Sequence, residues 1–245
     1  MIETLQWSTL AICALIAVAR VPSTLRGENR SLFGIFALMT LAILLSIQGP
    51  YIVIDQALGG INLANLLLRF VIFGAIFFMG IRISRGFGAR DAYRLITGRA
   101  GVSVLAVISV VMVTLFFMMG TSGSSAGLTG VVGTDPWNSA LLEYYGAAGR
   151  AYPAYITLAL LPAMVRAVFG RLPALVRVAA GLLGLGAVAT GLSLSFPLIP
   201  PTLGQIEFLI NYTAVLCFVV GLALIWVAKM VNARGAARRR TSTEM

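Results

Sequence analysis

The stretch Asn62–Phe70, NLANLLLRF, heads the apolar run Ile61–Ile83, INLANLLLRFVIFGAIFFMGIRI. A spanning helix needs about 20 mostly apolar residues, and this run is long enough. It nonetheless carries two asparagines and an arginine. Arg69 lies about 8 residues into that helix, hence roughly 12 Å deep at 1.5 Å per residue. An arginine in hydrocarbon is costly unless it snorkels or finds a partner. Asn62, Asn65 and Arg69 are spaced i, i+3, i+7, which puts them on one helix face. The spacing predicts that this face turns into a bundle.

The rest of the chain supplies the bundle. Its 245 residues are 59% hydrophobic and only 11% charged, too little charge for the shell of a soluble domain. Mean hydropathy is +0.96. Seven apolar segments are expected to be helices, at about 4–19, 31–49, 61–81, 101–119, 142–165, 173–196 and 206–228. Backbone groups in lipid must pair internally, and nothing alternates as a membrane strand does. The expected fold is all-α, a seven-helix membrane domain over residues 1–231 with a short basic tail over 232–245.

Net charge is +10, but the basic residues sit in gaps between apolar runs, which argues against nucleic acid. Sixteen of the eighteen fall at 20–30, 82–99, 166–177 and 229–240. Glu3, Asp55, Asp135, Glu143 and Glu207 fall on the opposite side. The positive-inside rule then puts the N-terminus outside and the C-terminus in the cytoplasm of a bacterial cell, a multi-pass inner-membrane protein. The basic side should meet anionic headgroups of the lipid bilayer. The loop GTSGSSAGLTGVVGTDPWNS reads as a flexible connector.

The polar residues within spans form the candidate site. Glu143 and Arg150 are seven apart, and Glu207 and Asn211 four apart. Thr190 and Ser193 offer further partners. The expected cluster is Asn62, Asn65, Arg69, Glu143, Arg150, Glu207 and Asn211, open to the outside. It is an ion-pair network that fixes helix register, a solute site, or a set of snorkelling side chains with Arg150 reaching the outer interface. Ala180, Gly184, Ala187, Gly191 and Ser195 make a small-residue stripe for close helix packing, within the monomer or in a homo-oligomer. Pro162 should bend its helix.

Catalytic chemistry is not expected. The chain has no histidine, and Asp55, Asp91 and Asp135 fall in expected loops. Ser-His pairs, HExxH zinc sites and intramembrane aspartyl dyads are thereby excluded. No Walker A sequence is present. No cofactor or metal is expected, and Cys13 and Cys217 read as small buried hydrophobes.

Arg20–Ile81 joins an arginine-flanked turn, RVPSTLRGENR, to SLFGIFALMTLAILLSIQGPYIVIDQALGGINLANLLLRF. The R-x-P turn, the L-x(5)-P end of the second helix and N-L-x-x-L-L resemble the membrane region of an actinobacterial family labelled transporters. The resemblance implies about seven helices followed by a cytosolic domain, which has no counterpart here. It also implies histidine in many members where Arg69 stands. Two functional readings remain. One is a small-solute transporter. The other is a non-transporting sensor or assembly partner that meets another protein through its basic loops.

Overall fold

A computed structural model describes residues 2–26, 30–120, 123–128 and 135–198, and a discontinuous set of positions between 206 and 228. The helices are α1 (Ile2–Leu25), α2 (Arg30–Ser46), α3 (Gln48–Ala57), α4 (Leu63–Gly86), α5 (Arg90–Thr97), α6 (Arg99–Met118), α7 (Pro136–Phe169) and α8 (Ala174–Leu192). Short 3-10 segments occupy Ala126–Leu128 and Ser193–Leu198. The described residues between 206 and 228 are helical, and no strand occurs among the described residues.

Four of these are long and apolar enough to cross a membrane: α4, α6, α7, and α8 extended to Pro197. A bent pair, Phe33–Ser46 with Gln48–Ala57 at 93° to one another, adds a fifth if the two count as one span. The expected helix at 31–49 therefore breaks. Ile47 is extended (φ −89°, ψ 127°), and α3 restarts at Gln48. Pro50 falls in the first turn of α3, where its missing N–H costs no helical bond.

The other boundaries follow local chemistry. Asp135 caps α7, accepting from the Asn138 N–H at 2.7 Å, and Pro136 takes the first position. This cap starts α7 earlier than the expected 142. The helix then runs on through Pro153 and Pro162. Gly88 (φ +63°) closes α4: its N–H reaches Arg85 O at 3.2 Å, and the Ala89 N–H reaches Ser84 O at 2.7 Å. Those paired bonds at a left-handed glycine are a helix-terminating turn.

α7 is the hub. It packs on α4, α5, α6 and α8, while α2 lies between α1 and α4. α4 and α7 run in the same direction along one seam. Asn65 meets Tyr145, Phe73 meets Tyr152, and Gly80 faces Ile156. Buried Phe73, Ile96, Met112, Phe116, Tyr152, Ile156 and Met164 make the core around it.

The small-residue stripe serves the α7–α8 contact. Ala180 and Ala187 are fully buried, Gly184 lies against Leu161 and Met164, and Gly191 lies against Leu158. Ser195 is half-buried in the 3-10 segment. The neighbouring Gly186 meets Cys217 and Phe218, so α8 sits between α7 and the last helical stretch.

Candidate functional site

The polar residues expected as one cluster fall into three places. The first is the turn between α3 and α4. Asp55 is fully buried within α3, not in a loop. Its carboxylate accepts from the Asn62 N–H (3.0 Å), the Ala64 N–H (3.0 Å) and the Ser124 hydroxyl (2.6 Å). The first N–H groups of a helix lack intrahelical acceptors, and a carboxylate there also suits the helix dipole. Asp55 thus caps α4 from the preceding helix.

Asn62 stands just before α4 in a left-handed conformation, φ +63°. The one-face rule therefore holds for Asn65 and Arg69 but not for Asn62. Its side chain is buried and accepts from the Tyr51 hydroxyl (3.0 Å) and the Ser125 N–H (2.8 Å). Its amide donates to Gly123 O at 2.8 Å. The loop expected as a flexible connector is pinned here at 123–125.

The second place is the α4–α7 seam. The Tyr145 hydroxyl donates to Asn65 Oδ1 at 3.1 Å. Arg69 lies inward, with its Cζ 5.6 Å from the centre of the Tyr145 ring. Gly149 makes the room: a Cβ there would come within 3.0 Å of the guanidinium. Among the described residues, two buried side-chain atoms have no hydrogen-bond partner, Arg69 Nε and the Tyr152 hydroxyl. Gly149 and Tyr152 are one helical turn apart on α7, so both open groups lie along the same seam. Buried polar groups are paired in the great majority of cases, which marks this seam out.

The third place joins α7 to the end of α8. Arg150 Nε donates to Ser193 O at 3.1 Å, and its guanidinium stacks 4.8 Å from the Phe196 ring centre. Glu143, two turns back on α7, is exposed and does not join it. Helical register fixes a direction, not burial, and only Arg150 is covered by the turn after α8. Thr190 and Ser193 bond back to Gly186 O and Thr190 O, so their hydroxyls stay with their own helix. Glu207 and Asn211 lie outside the described residues, as does the tail at 232–245.

Sequence reasoning missed Asp55, Tyr145, Gly149 and Tyr152. The last three carried a signal in YYGAAGRAY, where glycines and tyrosines alternate at turn spacing. Asp91 and Asp135 also belong to helix starts rather than free loops. No group of three or more His, Cys, Asp or Glu residues that could hold a metal occurs among the described residues. No family model, curated protein or solved structure matches the chain.

Proposed function

We propose that the chain is a seven-span bacterial inner-membrane protein, N-terminus outside, that binds and passes a small polar or anionic solute along the α4–α7 seam. It acts by binding rather than by catalysis. One observation carries this reading. A buried guanidinium nitrogen and a buried tyrosine hydroxyl both lack a hydrogen-bond partner along this seam, where Gly149 leaves room for the Arg69 side chain. A guanidinium selects carboxylate, phosphate or other oxyanions, and a hydroxyl can donate or accept beside it. The transporter label of the resembling actinobacterial family points the same way.

The test is solute flux in liposomes against a panel of small anions and sugars. Arg69→Ala should abolish flux. Tyr152→Phe should lower it about tenfold, the loss of roughly one hydrogen bond of about 1.4 kcal/mol. Wild-type protein that is folded and moves none of the panel would overturn the reading.

The second reading is a non-transporting sensor or assembly partner. The set of bonds around Asp55 and Asn62 favours it, since it ties the buried polar side chains of the α3–α4 turn to the protein itself. Co-purification of a stable protein partner together with absent flux would select it.

A further inference from the structure

A second depression lies at the far end of α4, away from the solute seam. It is a cavity of about 460 Å³ lined in part by Arg85, Gly88, Arg90, Tyr93 and Arg94. The volume falls in the small-ligand range of about 300–1,000 Å³. Its shape comes from the chain reversal at Gly88, which sets the last turn of α4 against the start of α5. Arg90 and Arg94 are four apart and so share a face of α5. Arg85 comes from the last turn of α4.

Arg85 is held in place. Its guanidinium donates to the Tyr93 hydroxyl at 3.1 Å and lies 5.1 Å from that ring centre. The hydrogen bond and the positive charge both lower the pKa of the Tyr93 hydroxyl from its ordinary value. Arg90 and Arg94 are exposed, and neither guanidinium has an acceptor among the described residues. Asp91, the only acid in 82–99, is exposed and does not line the cavity. Three arginines therefore line the cavity, with no acidic residue among the described residues that line it. Their planar forks match phosphate oxygens.

The surroundings favour a lipid over a free ion. α5 buries Ala92 and Ile96 against the bundle and leaves Leu95 exposed. A short amphipathic helix at the end of a membrane-length helix, with arginines beside an exposed leucine, fits the headgroup layer. We propose that this cavity binds a phosphate group, supplied by the headgroup of an anionic phospholipid.

The full chain in detergent is titrated with phosphatidylglycerol, phosphatidylcholine and inorganic phosphate, and bound lipid is counted by native mass spectrometry. Phosphatidylglycerol should bind more tightly than phosphatidylcholine. The double variant Arg90→Gln, Arg94→Gln should weaken it roughly twentyfold, at about fivefold per charge. Arg171→Gln, an exposed arginine elsewhere, should change it by less than about twofold. Tyr93→Phe, which removes the Arg85 anchor, gives a milder variant expected to weaken binding about threefold. Inorganic phosphate that displaces the lipid from wild type supports the same chemistry with a soluble source. Equal binding of the two lipids, or an equal loss in Arg171→Gln, would overturn the site.

Discussion

Buried Asp55 holds three donors, two of them backbone N–H groups at the head of α4. Alanine at this position leaves those donors without an acceptor. Each buried orphan costs about 1–3 kcal/mol, though some would relax toward water. Asp55→Ala should therefore destabilise the protein by about 2–4 kcal/mol, read as a lower melting temperature in detergent. Asp55→Asn keeps one acceptor oxygen and should fall between. Melting unchanged in Asp55→Ala would show that the carboxylate does not cap α4. The sequence concealed this role because Gln48, Gly49 and Pro50 look like the end of a helix. They are instead the first turn of the next one, and their placement moves Asp55 from a turn into the interior. Arg69 was legible, since a charge within an apolar run must be sheltered. Its actual shelter, the Tyr145 ring and the groove at Gly149, was not, because glycine leaves no charge or hydropathy signal.

Elements meet most tightly where α5 turns into α6. A Cβ on Gly101 would collide with Ile96 O and Leu95 O, both backbone atoms. Gly101→Ala must therefore push α5 off its seat, at about 1–3 kcal/mol for an overpacked contact. Trypsin should then cut after Arg90 and Arg94 faster than in wild type. An unchanged digestion pattern would mean the junction can yield without moving α5. Boundaries at this scale were readable where glycine or proline punctuates the chain. Gly98 precedes α6 and Pro173 precedes α8, each within two residues of the expected start. The break between α2 and α3 was readable only as a helix end, because hydropathy falls at Gln48, Gly49 and Pro50 and the helix that restarts there is short. The early start of α7 was signalled by Asp135 and Pro136, which sat unrecognised within the expected loop.

At the scale of the molecule, an apolar helical bundle was legible from composition alone. The described residues supply four helices long and apolar enough to cross a membrane, or five if the bent pair is one span. The proposed seven-span topology puts the α5 end in the cytoplasm with the C-terminus. A fluorescent-protein fusion at the C-terminus should therefore glow, and an alkaline-phosphatase fusion within 87–89 should be inactive. An active phosphatase there would reverse the orientation. The α3–α4 turn also bears on the order in which the protein is assembled. Asp55 and Ser124 are 69 residues apart, and Asn62 bonds to residues 61 and 63 positions further on. A ribosome must therefore finish α6 before that turn can close. Until then, the half-made chain exposes its most polar buried groups beside the insertion machinery. Ala64→Cys in ribosome-arrested chains should react with a thiol reagent when arrest precedes residue 123, and become protected once 123–128 has emerged. Protection from the outset would show that the turn folds without the loop that later fastens it.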